Sequence, residues 1–149
     1  MPIYRETKPT NPGLIQEMAV KYKVNGTEYA LVHRAQEGIK VSAFFDLVNV
    51  TGLNNEELAY LLDLSFKTIQ RYQKDGKKLN ALNSEQLLKM ISLYQKAEEI
   101  FGDLASFNRW LRKPASGLGG HIPLSFMITS GGIDLIHDEL HRIEFGALA

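Results

Sequence analysis

The chain contains no cysteine. That excludes disulfides, thiolate metal sites and a cysteine nucleophile. No apolar run approaches the roughly 20 residues needed to cross a bilayer as a helix. The opening stretch, Met1 to Gly13, lacks the apolar core of a secretion signal. A reducing interior, and so a cytoplasmic location, is compatible with both absences. Net charge is also missing: 17 basic residues balance 17 acidic ones. Composition by itself therefore names no charged partner. What is present is ordinary for a globular protein: 149 residues, 44% hydrophobic and 23% charged, enough for one compact domain or two small ones.

The zero balance hides an asymmetry. Residues 1–97 carry 13 Lys/Arg and 10 Asp/Glu, whereas residues 98–149 carry 4 and 7. A basic front and an acidic back suggest two jobs or two faces. The most basic stretch is 65–78, where Lys67, Arg71, Lys74, Lys77 and Lys78 face Asp75 alone.

Helical periodicity dominates, with no internal repeat and no convincing sheet. Residues 1–27 are expected to form a loose N-terminal segment. Within it the proline-rich first 13 residues read as a tail, and 14–27 stays open. Asn25-Gly26 could be a hairpin turn, but Leu31, Val32 and Ala35, with Gly38 as a stop, favour a helix over 28–37. Ser42 is expected to cap a helix that Gly52 ends, and Asn54 or Asn55 the next. Ser65 caps a helix through Tyr72. Ser84 is expected to open the longest helix, with Leu87, Ile91, Tyr94 and Phe101 on its buried stripe. That helix joins the two halves and is a candidate dimer contact. Asp103 caps a short helix limited by Pro114, in which Phe107 and Trp110 read as core anchors. Ala115 to Pro123 is a glycine-rich loop. The last helix starts near Thr129 or Ser130, with Ile133, Ile136, Leu140 and Ile143 inward and Asp138–Arg142 as an outer i,i+4 pair.

Asn55 to Tyr72 has the spacing of a helix-turn-helix. Ala59 is the small residue where two steeply crossing helices touch. Leu58, Leu62, Leu64, Ile69 and Tyr72 supply the apolar positions. The turn position that usually holds glycine is Asp63, a residue that tolerates positive φ better than most. With Leu64, Ile69 and Tyr72 inward, Phe66 and the polar residues of the second helix are left at least partly outward. Ser65, Lys67, Thr68 and Arg71 suit phosphate contacts, with Lys74 beside them. Gln70 can read adenine and Arg71 guanine. The alternative is a helical pair used only for packing or dimerisation, with an ordinary solvated charged face.

Other constellations carry less. His137-Asp138-Glu139-Leu140-His141 has the histidine spacing of a zincin box, but Asp138 stands where the general base should be glutamate, and only the distant His121 offers a third ligand. No metal, cofactor or catalytic set is expected, and the chain is not expected to be an enzyme. Leu118-Gly119-Gly120 lacks the lysine and the preceding strand of a phosphate loop.

Beyond the helix-turn-helix, Ala97-Glu98-Glu99-Ile100-Phe101-Gly102-Asp103 is similar to a known "A-x-x-[VI]-F-G-D" signature. Trp110-Leu111, Pro114, Leu118-Gly119-Gly120, Pro123-Leu124, Thr129-Ser130-Gly131-Gly132 and Arg142-Ile143-Glu144-Phe145-Gly146 continue the same ordered series. The chain thus resembles the Xre/MbcA/ParS-type antitoxins over about residues 38–149. The resemblance implies a type II antitoxin that blocks a co-encoded toxin, usually a RES-domain protein, several of which degrade NAD⁺. It also implies repression of the antitoxin's own operon and a homodimer.

The expected architecture is all-α: a helix-turn-helix DNA-binding lobe over 28–80, then a toxin-binding lobe over 84–149. Its partners would be the RES-type toxin and operator DNA, with no membrane. The apolar stripe of the last helix leaves its other face, with Asp138, His141, Arg142 and Glu144, for the toxin, together with Phe145 and Gly146 at the helix end and Gly119 and Gly120 in the loop. The alternatives are a transcription regulator whose C-terminal lobe senses a ligand or dimerises, and a metal-dependent hydrolase using His137 and His141.

Overall fold

A computed structural model describes residues 13–146. The elements are α1 (Leu14–Lys21), α2 (Glu28–Glu37), α3 (Ser42–Thr51), α4 (Asn55–Leu61), α5 (Phe66–Asp75), α6 (Ala81–Phe101), α7 (Leu104–Trp110), two 3-10 turns (Ser116–Leu118 and Pro123–Ile128) and α8 (Ser130–Glu144). The described residues hold two isolated β-bridges and no strand, so the fold is all-α.

Short polar residues start most of these helices. Thr27, Asn54, Ser65, Asn80, Asp103 and Thr129 each accept a hydrogen bond from a first-turn backbone N–H. Losing such a cap typically costs about 1 kcal/mol. Two expected caps differ. Ser42 is the first residue of α3 rather than its cap, and Val41 before it makes no capping bond. The longest helix opens at Asn80 instead of Ser84. Ser84 lies inside it, fully buried, where its hydroxyl accepts from the Ile39 N–H at 3.0 Å and donates to the Leu79 carbonyl at 3.3 Å.

α6 is the axis of the molecule. Leu87, Leu88, Met90, Ile91, Leu93, Tyr94 and Ala97 are all fully buried, a spread too wide for one stripe. α1, α2, α7 and α8 pack around it. Only Ala81, Leu82 and Glu99 of its 21 residues are exposed. The expected dimer contact along this helix is therefore corrected, because the chain's own helices occupy its faces. One continuous core runs from Ile15 to Leu140.

The expectation of a loose segment over 1–27 also needs correction. Residues 1–12 lie outside the described residues, but α1 and the turn after it are packed structure. Ile15, Met18, Ala19 and Val24 are buried. Lys21 pairs with Asp46 of α3 at 2.8 Å, and Gln16 accepts from Gln95 of α6 at 2.7 Å. An eight-residue helix without a side-chain cap is marginal alone, and tertiary packing supplies what the local sequence does not. At the other end of the core Phe107 is fully buried, whereas Trp110 is half-buried, stacked on Phe107 with ring centroids 5.9 Å apart.

If α1 belongs to the core, Ile15→Ala should cost roughly 2–5 kcal/mol, the usual range for emptying a buried isoleucine site. Urea unfolding of the full chain measures it, and an unchanged midpoint would detach α1 from the core.

Candidate functional site

The turn between α4 and α5 follows from its backbone. Asp63 has φ 56°, the left-handed conformation that its place in the motif demands. The Asp63 N–H bonds the Tyr60 carbonyl and the Leu64 N–H the Ala59 carbonyl, both at 3.0 Å, a Schellman closure of α4. Leu58, Ala59, Leu62 and Ile69 are buried where the two helices meet. Phe66, expected partly outward, is half-buried and rests on Phe44 and Phe45 of α3, with centroids 6.2 Å from each.

The outer side of α5 presents Lys67, Gln70, Arg71 and Lys74, all exposed, and half-buried Thr68. Ser65 accepts from the Thr68 N–H at 3.1 Å, and the two hydroxyls lie 2.9 Å apart, so both serve the helix cap. Among the described residues, Lys67, Arg71, Lys74, Lys77 and Lys78 take part in no ion pair. Arg71 and Lys77 instead lie over the Tyr72 ring, at 5.7 and 4.6 Å from its centroid. Lys77 sits beyond the helix end and was not among the expected contacts, although the basic run 65–78 contained it.

α4 is held at both ends. Near its start Glu57, 1% exposed, accepts from the Arg112 guanidinium at 2.6 Å. Burial pushes the Glu57 carboxyl above its ordinary range, although Arg112 pulls the other way. Near its end the Gln86 amide donates to the carbonyls of Leu61 and Ile128, both at 3.0 Å, while the Asn83 amide donates to the Leu62 carbonyl at 2.9 Å. Behind Arg112, Asn108 donates to the Thr51 carbonyl at 2.6 Å and accepts from the Tyr94 hydroxyl at 2.8 Å.

In the second half, Ile133, Ile136 and Leu140 of α8 are buried and Ile143 is half-buried. Asp138, Arg142 and Glu144 are exposed and His141 is half-buried. Glu144 pairs with Lys96 at 2.8 Å. The expected Asp138–Arg142 pair is replaced by Arg142–Glu139 at 3.0 Å. Glu139 is 3% exposed, and a buried carboxylate competes better for the cation than an exposed one. The same carboxylate lies against Gly117, where a Cβ would come within 2.1 Å of its oxygen. The 115–121 loop thereby packs closely on α8 at Glu139. In that loop Gly119 and Gly120 are exposed at φ 67° and 78°. Phe145 is 81% exposed and Gly146 exposed beyond it.

His137 and His141 have ring centroids 4.8 Å apart, but among the described residues no group of three or more potential ligands could hold a metal. Burial first, and then the His141 charge, lower the His137 pKa. His137 lines a cleft of about 340 Å³ with Glu28, Lys89, Asp134 and Asp138, which no sequence spacing announced. No helix among the described residues is long and apolar enough to cross a membrane.

Residues 30–92 match the antitoxin Xre-like helix-turn-helix domain, and residues 96–146 match the antitoxin Xre/MbcA/ParS C-terminal toxin-binding domain. The chain belongs to the Xre/MbcA/ParS-type antitoxins. None of the curated proteins matches it. The two matched domains of the antitoxin divide inside α6, between residues 92 and 96. Glu57–Arg112 and Gln86–Ile128 are therefore bonds between the antitoxin's two domains.

The raised carboxyl of Glu57 fixes a sign. The folded antitoxin holds this proton to higher pH than the unfolded chain does. The associated stability is full below about pH 4.3 and is lost as pH rises through the raised value. Urea titrations of wild type and Glu57→Gln should show the wild type's relative stability falling as pH rises above the ordinary carboxylate range. A relative rise would mean that the attraction of Arg112 outweighs burial.

Proposed function

We propose that this antitoxin blocks a RES-type, NAD-degrading toxin encoded beside it, and that it represses its own operon as a homodimer in the cytoplasm. The observation that carries the DNA half is the exposed cationic side of α5, which finds no carboxylate partner among the described residues. The matched toxin-binding domain supports the other half.

In this reading residues 28–80 dock α5 into a major groove. Lys67 and Lys74 meet phosphates, and so does the start of α5 at Ser65 and Thr68. Gln70 and Arg71 reach base edges. A single helix pair reads few bases, so two copies on half-sites about 34–36 Å apart supply the specificity. Residues 84–149 present the toxin with Asp138, His141, Arg142 and Glu144 on α8, with Phe145 and Gly146 beyond it, and with Gly119 and Gly120 in the loop packed on α8. Net negative charge over residues 98–149 suits a cleft that binds a phosphate-bearing substrate. The antitoxin acts by occupying that cleft and needs no catalysis of its own.

Co-expression with the neighbouring gene tests the first half: growth should be arrested by the neighbour alone and restored by the pair. A harmless neighbour, or persistent arrest beside abundant folded antitoxin, overturns it. A chain ending at Phe145 keeps the apolar stripe of α8, and should stay folded yet neutralise more weakly. For the second half, Arg71→Ala should cost about 1–3 kcal/mol in binding to the upstream DNA, measured by gel shift. No shift by wild type, with or without toxin, would leave the helix pair structural.

A further inference from the structure

α5 is followed at once by a second basic feature, built from two distant parts of the chain. Lys40 and Lys78 form an isolated antiparallel bridge. The flanking hydrogen bond runs from the Leu79 N–H to the Ile39 carbonyl at 2.9 Å. That makes Lys40 and Lys78 a non-hydrogen-bonded pair, the arrangement that brings facing side chains closest, with Cβ atoms about 4.5–5.5 Å apart on one face. Gly38 makes the approach possible. Its φ is 80°, and a Cβ there would lie 2.7 Å from the Leu79 carbonyl and 3.4 Å from the Lys78 Cβ. Buried Ser84 stitches both sides, accepting from Ile39 and donating to Leu79.

Like charges directly opposite destabilise a pairing. Both lysines are exposed, and neither has an ion-pair partner among the described residues. Lys21, Lys89 and Lys96 have carboxylate partners, whereas the lysines of and after α5, Lys67, Lys74 and Lys77, share with Lys40 and Lys78 the lack of one among the described residues. A backbone bridge that sets two unneutralised lysines opposite one another on one face is arranged for an anion from outside. It lies directly after α5, where Gly76 turns the chain and Lys77 folds back over Tyr72.

We infer that Lys40 and Lys78 form a phosphate clamp that grips the DNA backbone next to the groove entered by α5. The inference rests on the DNA-binding reading above. The clamp adds affinity without sequence preference, because phosphates carry no base identity.

The test is a salt titration of the full-length antitoxin by fluorescence anisotropy, with one labelled duplex from upstream of its gene and one of random sequence. Each phosphate contact contributes about 0.9 to the slope of log K against log salt on duplex DNA. Lys40→Gln with Lys78→Gln should lower the slope by about 2 per bound protomer, equally on both duplexes, and keep their affinity ratio. Lys40→Arg with Lys78→Arg should keep the slope. Lys113→Gln, which removes an exposed charge from the other domain, should also leave it unchanged. A wild-type slope in the double Gln variant overturns the clamp while the DNA reading stands, and so does an equal drop in Lys113→Gln. Failure of the wild type to bind either duplex overturns the DNA reading and the clamp with it. Thermal melting of each variant separates lost contact from lost fold: a double Gln variant that melts early is replaced by the two single ones, each expected to lower the slope by about 0.9, and unchanged slopes there overturn the clamp as well.

Discussion

Two side-chain amides on α6 hold the molecule together at its seam. Gln86 bridges the carbonyl of Leu61, at the end of α4, and that of Ile128, at the entry to α8. Asn83 adds the Leu62 carbonyl and accompanies Gln86 with an amide-to-amide bond of 2.9 Å. The last carbonyls of a helix have no partner within it, and a buried one left unpaired costs about 1–3 kcal/mol. α6 supplies those partners from its own first turns. The pose of α4 is therefore set by α6, and α5 inherits its pose from α4, with Phe44 and Phe45 as further support. The same amide fastens the Ile128 carbonyl just before α8 begins. The second helix of the helix-turn-helix and the last helix of the toxin-binding domain are thus both linked to one residue.

That arrangement explains why the two domains share a core. A short bihelical unit has too little apolar surface to be stable alone. Here α5 has one fully buried residue, Ile69, and leans on elements that belong to a much larger interior. Glu57–Arg112 adds a charged tie at the other end of α4. Burying such a pair is neutral to unfavourable for stability, but breaking one half of it is costly, so it fixes geometry more than it adds strength. Displacing either domain would strand carbonyls and a buried carboxylate together.

What was legible in the sequence is what local chemistry decides. Asp63 could be placed in a left-handed turn, because the motif demands positive φ there and aspartate tolerates it. The caps at Asn54, Ser65, Asp103 and Thr129, and the stops at Gly38 and Gly52, follow from backbone groups that need partners whatever the fold. α1 was not legible: its three anchors, Ile15, Met18 and Ala19, are meaningful only once α3 and α6 stand beside them. Ser84 misled because a serine that begins a helix and one that fastens two passing chains look alike in sequence. Arg142 misled for a related reason: i,i+4 spacing favours Asp138, but burial made Glu139 the stronger partner. The order of glycines, prolines and aromatics after Phe101 carried the family; it did not carry the close approach of Gly117 to Glu139 where the loop packs on α8.

A chain of zero net charge can still have two electrical faces, because what matters is which charges are neutralised at home. In the C-terminal domain the acidic residues of α8 are drawn into pairs: Asp134 to Lys89, Glu139 to Arg142, Glu144 to Lys96. Asp138 alone among them is in none of these pairs. Around α5 the opposite holds: among the described residues its lysines are in no ion pair, and Lys77 lies over the Tyr72 ring. Desolvating an unpaired lysine is costly unless an anion replaces the water, whereas a surface of satisfied pairs can be covered by a protein with less loss. The basic side therefore favours a partner that brings its own dense negative charge, and the paired side, still net negative, can be covered by one that matches its shape as well as its charge. The distribution of ion pairs sorts the two partners where the overall composition could not.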